Sequence, residues 1–151
     1  MKRRKTVSLA KLKKRAWALL SECVRREAIN PQEDETWIGC YTCDAAQHWK
    51  YMQAGHAIGG RNGAVLFDEE IIRPQCVRCN IMLRGNYGEF IARLIREKAL
   101  SLSEYPDAGH GMAALGWWQM KLSAAKQIKK WTRDELQEKI DSYKARLEKL
   151  G

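Results

Sequence analysis

Cys40-Tyr41-Thr42-Cys43 and Cys76-Val77-Arg78-Cys79-Asn80 are the stretches whose reading decides the fold. In each, two thiols stand three positions apart, the spacing of a tight knuckle whose sulfurs point at one centre. Four thiolates complete the closed tetrahedral shell that structural zinc prefers. Residues 44–75, between the knuckles, are enough for two strands and a loop to run out and come back. Zinc in a closed shell has no open position, so Cys40, Cys43, Cys76 and Cys79 are expected to hold the fold and do no chemistry. The alternative, reactive thiols or two local disulfides, needs an oxidising compartment to which nothing else in the chain points. Cys23 lies among Leu19, Leu20 and Val24 and reads as a small buried hydrophobe.

Between the knuckles, helical periodicity gives way to short aromatic and β-branched runs. Residues 49–54, 64–67 and 71–73 predict short strands, with Gly59, Gly60, Asn62 and Gly63 in the loop between them. Ala54-Gly55-His56 follows the first strand, and Asn80 comes directly after Cys79. Folding the strands back brings His56 and Asn80 together across a shallow groove. A lone histidine is more often structural, but its place between knuckles points to catalysis.

The flanks are helical. From Ser8 to about Ala28, Leu9, Leu12, Ala16, Leu19, Leu20, Cys23 and Val24 recur at three- and four-residue steps, which predicts an amphipathic helix stopped by Asn30-Pro31. Helix returns after Asn86, with Phe90, Ile91, Leu94, Ile95 and Ala99 on one face. Residues 105–111 form a loop. Trp117 and Trp118 beside Leu115, Met120 and Leu122 read as core, with stacking on exposed bases as the alternative. Thr132 and Glu135 give a capping box. Leu136, Ile140, Tyr143, Leu147 and Leu150 then make a seam that packs either on the first helix or across a dimer. The expectation is one α+β domain over 1–151: a basic helix in 1–30, a zinc-bound core in 37–100, a loop and helical segment in 101–131, and a last helix in 132–151.

The chain has 151 residues and a formal net charge of +9, with a pI near 9.5. Its cations cluster at Lys2 to Lys5, at Lys11, Lys13, Lys14 and Arg15, and at Lys126 to Lys130. Any one run can be a solvated face. Together they favour a polyanionic partner, because fixed cations release condensed counterions from phosphates. No apolar stretch is long enough to cross a bilayer, and the charged start is not followed by an apolar leader, so a cytoplasmic protein with no membrane partner is expected.

Cys40-Tyr41-Thr42-Cys43, Gln53-Ala54-Gly55-His56, Leu66-Phe67-Asp68-Glu69, Gln75-Cys76-Val77-Arg78-Cys79-Asn80 and Gly85-Asn86-Tyr87 together resemble the HNH, or ββα-metal, nucleases. Within that group they resemble the NinG (Rap) family of phage recombination proteins. The resemblance implies a small treble-clef-like ββα-metal core with flanking helices, in an endonuclease of the bacterial host cytoplasm that cuts Holliday junctions and D-loops. It makes His56 the general base and Asn80 a ligand of one Mg²⁺ or Mn²⁺, with Asp68 and Glu69 as further candidate ligands. Hydrolysis would leave a 5′-phosphate and a 3′-hydroxyl. Arg61, Arg73, Arg78 and Arg84 would face phosphates, as would the cations at positions 11 and 13–15. Two coordinated cuts imply a homodimer, and recombination implies partner proteins from phage or host. Two positions depart from the group's pattern: Gly55 stands where many members have a metal-binding aspartate, and Ile71 where an asparagine orients the base. A zinc-stabilised junction-binding protein without cleavage activity is therefore the competing expectation. An interaction adaptor is a third, which the positive charge disfavours.

Overall fold

Four helices enclose two small antiparallel ribbons in the computed structural model, which describes residues 7–30, 32, 36–59, 63–102 and 110–151. The order is α1 (Leu9–Arg26), β1 (Trp37–Gly39), β2 (Ala46–His48), β3 (Gln53–His56), β4 (Ile72–Gln75), α2 (Tyr87–Ser101), α3 (His110–Ala125) and α4 (Arg133–Lys149). This is the expected mixture of helix and small sheet. Among the described residues no helix is long and apolar enough to cross a membrane.

The first helix starts where Ser8 Oγ accepts the Lys11 amide at 3.3 Å, and it ends at Arg26, ahead of the expected Asn30-Pro31 stop. Its apolar stripe, Leu12, Ala16, Leu20 and Cys23, is buried against Leu136, Ile140 and Tyr143 of α4 and against Leu66, Phe67 and Ile72. The seam on α4 therefore closes within the chain, on α1. Capping is reciprocal at the start of α4: the Glu135 amide donates to Thr132 Oγ1 at 3.2 Å, and the Thr132 amide donates to Glu135 Oε2 at 2.8 Å. The two helices run parallel. Arg133 donates to the Val7 carbonyl at one end, while Arg26 reaches the Gly151 carbonyl and Arg146 grips Glu27 at the other. Cys23 is fully buried in this seam and donates to the Tyr143 carbonyl at 3.5 Å; burial pushes its thiol up to about 11.

A second core gathers Phe90 and Leu94 of α2, Trp117, Trp118 and Ala125 of α3, and Ala57, Val65 and Ile71 of the long β3–β4 connection. Both tryptophans are thus interior, the first of their two expected placements. Lys121 of α3 holds Asp68 at 2.8 Å and also Glu70.

The strands between the knuckles differ from those expected. Residues 49–51 form a 3-10 turn, Trp49–Tyr51, with β3 beginning only at Gln53. Residues 64–67 form turns, with Val65, Leu66 and Phe67 all buried. The second strand begins at Ile72, after the 3-10 turn Glu69–Ile71, and pairs His56 with Ile72 and Gln53 with Gln75. The β1–β2 hairpin, with Ile38 opposite Gln47, was not foreseen. Gly60, Asn62 and most of the loop at 105–111 lie outside the described residues.

Ile140 is fully buried between α1 and α4. Ile140→Ala is expected to destabilise the protein by about 2–5 kcal/mol, read by urea unfolding, because the seam cannot collapse around the lost atoms. A change under about 1 kcal/mol would show that α1 and α4 do not close the fold.

Candidate metal centre and adjoining cleft

The four sulfurs of Cys40, Cys43, Cys76 and Cys79 all lie within 4.8 Å of one another. Tetrahedral Zn–S bonds of about 2.3 Å separate the sulfurs by about 3.8 Å. Cys43 Sγ and Cys76 Sγ are 3.8 Å apart, so the donor set fits zinc in chemistry and spacing. Burial raises the Cys40 pKa, but the Cys76 amide, the Thr42 hydroxyl and amide and the Cys43 amide outweigh it and hold the thiol near 6. Cys43 receives the Ala45 amide, which lowers its pKa, yet burial and its three sulfur neighbours push it up to about 12. The crowded sulfurs thus cannot all be thiolates at neutral pH unless a cation offsets their repulsion.

Polar contacts brace the centre. Asp44 turns the first knuckle with φ 60°, and its carboxylate takes two bonds from Arg93 of α2, at 2.7 and 3.1 Å. Asn86 Nδ2 donates to Cys79 Sγ at 3.8 Å. Gln75 is fully buried and donates from Nε2 to Thr42 Oγ1 at 3.0 Å and to the Gly85 carbonyl at 2.9 Å. With its oxygen so occupied, the Thr42 hydroxyl can turn its proton to Cys40 Sγ, 3.5 Å away. Gln75 also accounts for Gly55: a Cβ there would lie 2.0 Å from Gln75 Oε1. The amide fills the space that an aspartate side chain would need.

Beside the metal centre lies an open cleft of about 450 Å³, lined by α1 (Trp17, Ser21, Arg25), β3 (Gln53, Ala54, His56), the π-helical turn Arg78–Met82 (Asn80, Ile81) and Met52, Gly59 and Tyr87. His56 and Asn80 thus share one cavity. His56 Nε2 lies 3.0 Å from the Leu66 carbonyl, an acceptor only, so Nε2–H donates to it. Trp17 stacks on the imidazole at 4.5 Å. Asn80 Nδ2 donates to Gln53 Oε1 at 2.7 Å. Arg25 is half-buried: its Nε donates to the Ser21 carbonyl at 2.9 Å, its guanidinium lies 5.4 Å from the Trp49 ring, and burial lowers its pKa. Among the described residues no carboxylate lines the cleft or forms an ion pair with Arg25.

Other residues expected at the site are placed elsewhere. Asp68 caps the turn at Glu70 and pairs with Lys121, while Glu69 pairs with Arg146 at 2.8 Å; neither borders the cleft. The neighbouring Glu70 is held down at about 2 by Lys121 and Lys98. These carboxylates close tertiary contacts with α3 and α4 and stand away from the cleft that holds His56 and Asn80. Arg73 also faces away, donating to Glu97 at 2.6 Å and to the Glu69 carbonyl at 3.1 Å. Arg78 and Arg84 are exposed around the second knuckle. Lys13 and Lys14 border a second depression with Ala10, Trp17, Ala18 and Leu66, and it meets the cleft at Trp17. Lys11 and Arg15 are exposed and line neither depression. Arg61 lies outside the described residues.

Over residues 1–151 the chain matches the family model described as Bacteriophage Lambda NinG protein. The chain belongs to the NinG family. No curated protein and no solved structure matches it. In this NinG family member the sequence reading passed over Trp17, Ser21, Arg25, Gln53 and the Thr42–Gln75 brace. Trp17, Ser21 and Arg25 did leave a trace, since steps of four set them along one helix face beside the core stripe.

The purified protein is expected to carry about one zinc per chain by elemental analysis, and chelation to abolish its near-ultraviolet dichroism; a metal-free, folded protein would contradict the centre. Gly55→Ala forces Gln75 from its pocket and is expected to cost about 1–3 kcal/mol in urea unfolding, with the loss relieved in the Gly55→Ala, Gln75→Ala double variant.

Proposed function

We propose that the chain binds branched DNA and hydrolyses a phosphodiester in the cleft, with His56 as general base. The decisive observation is that His56, braced by Trp17 and the Leu66 carbonyl, shares a cavity with Asn80 and with an Arg25 that no carboxylate pairs among the described residues. The NinG membership and the HNH-like order of motifs support the same assignment.

In this scheme a water loses its proton to the imidazole of His56 as its oxygen attacks phosphorus. The ester oxygen on the far side leaves with the bond electrons and takes a proton from solvent. Arg25 offsets the charge that develops on the phosphate, and Asn80, steadied by Gln53, orients the phosphate or the water by hydrogen bonding. Lys13 and Lys14 extend the path along α1, so the strand runs past Trp17. Contacts of this kind hold the backbone and read no bases, which favours selection by DNA shape.

The cleft does not fit a protein-held magnesium or manganese ion. A hard cation takes oxygen ligands with carboxylate charge, and this cavity offers amides, an imidazole and a guanidinium. The same observation favours a second reading, a junction-binding recombination protein that does not cut.

Cleavage of matched linear, forked and four-way DNA, with Mg²⁺, with Mn²⁺ and with neither, separates the two. His56→Ala is expected to lower cutting about 10²–10⁴-fold while junction affinity stays the same. Tight junction binding with no nick under any of these conditions would establish the second reading. Arg25→Met is expected to weaken junction binding and flatten its dependence on salt by about one counterion. An unchanged salt slope would remove Arg25 from the phosphate path.

A further inference from the structure

The turn beyond the second knuckle carries apolar side chains into solvent. Ile81 is 59 % exposed, Met82 73 %, Leu83 44 % and Val77 42 %. They stand on a rigid base: Cys79 is fully buried at the metal centre, Leu83 donates to the Arg78 carbonyl at 2.8 Å, and Gly85 donates to the Cys79 carbonyl at 2.9 Å. The chain cannot fold this group inward without moving a metal ligand. Ile81 also lines the cleft that holds His56. Arg78 and Arg84 flank the group and are exposed, and neither joins an ion pair among the described residues.

Two kinds of macromolecule could cover such a projection, and size and charge choose between them. A stable protein interface buries about 800 Å² and roughly 20–30 residues on each side, far more than four side chains offer. Opening a base step takes only one or two apolar side chains, and the guanidiniums on either side suit the flanking phosphates. We propose that Ile81 and Met82 form a wedge that enters the base stack of bound DNA beside the cleft, with Arg78 and Arg84 on the neighbouring phosphates. This rests on the DNA-binding reading above and extends it to the source of branch selectivity. Unstacking costs least where stacking is already interrupted, so a wedge prefers a branch point without reading any base.

The test uses the full-length zinc-loaded protein and an Ile81→Ser, Met82→Ser double variant, each checked for zinc content and dichroism. A four-way junction carries 2-aminopurine next to the branch, and a linear duplex carries it at a matched step. The native protein is expected to raise junction fluorescence. The double variant is expected to lose that rise and about tenfold in junction affinity, and Met82→Ser alone, which leaves the cleft lining intact, is expected to lower both while linear-duplex affinity changes less than about twofold. Equal unstacking by both proteins would overturn the wedge, as would an equal loss of affinity on both DNAs. Sedimentation showing a native dimer that the variant cannot form, with DNA binding intact, would assign the patch to a second copy of the chain and also overturn it. If Ser at both positions displaces zinc, Met82→Gln alone reads the same fluorescence on an intact centre. Native protein that binds neither DNA would defeat the DNA-binding reading itself, whereas binding without unstacking defeats only the wedge.

Discussion

Four sulfurs drawn within 4.8 Å of one another form the constraint on which the rest of the molecule depends. Left as thiolates they repel; around a divalent cation the same spacing becomes a tetrahedral shell. Both knuckles meet beside the Gln53–Gln75 end of the ribbon that carries the cleft, so closing the shell also sets how β3 meets β4. It fixes where the π-helical turn holds Asn80. Arg93 ties the first knuckle to α2, and Gln75 ties both knuckles to the turn before it through Thr42 and the Gly85 carbonyl. The geometry around His56 is thus set in part by the four-cysteine centre at the other end of the ribbon.

The cleft nevertheless belongs to two parts of the fold. The unit around the four cysteines supplies His56, Gln53 and Asn80, and α1 supplies the facing wall with Trp17, Ser21 and Arg25. Stacking of Trp17 on His56 joins them. The acidic residues of the neighbouring turn are engaged elsewhere: Asp68 and Glu70 by Lys121, and Glu69 by Arg146. Those carboxylates are engaged in tertiary contacts, and among the described residues the cleft is lined by Arg25 and by no carboxylate.

The sequence revealed most where pattern and physics coincide. Cysteine spacing marked the centre, three- and four-residue periodicity marked α1, α2 and α4, and the Thr132–Glu135 pair marked where α4 begins. Strands of three or four residues are too short for alternation to register, so β1 and β2 went unseen and the apolar run Val65-Leu66-Phe67 passed for a strand. Carboxylates were harder still. In sequence, Asp68 and Glu69 look alike as metal ligands, solvated groups or ion-pair partners, and their cations lie on α3 and α4, 53 and 77 positions away. Arg25 is one cation among many on a basic helix, and only the tertiary arrangement of Met52, Trp49 and Gln53 distinguishes it from Lys11 or Arg15.

The parallel pairing of α1 with α4 has a consequence for how the protein is made. Contacts across that seam join residues about 120 positions apart, such as Cys23 with Tyr143 and Glu27 with Arg146. On the ribosome α1 emerges long before α4, so its seam face has no helix to pack on until the residues between them have been made. The four cysteines are made between the two helices, so their centre can form before the α1–α4 seam closes. Until α4 joins it, α1 holds Trp17 and Arg25 at the cleft only through its packing on β3, β4, Leu66 and Phe67.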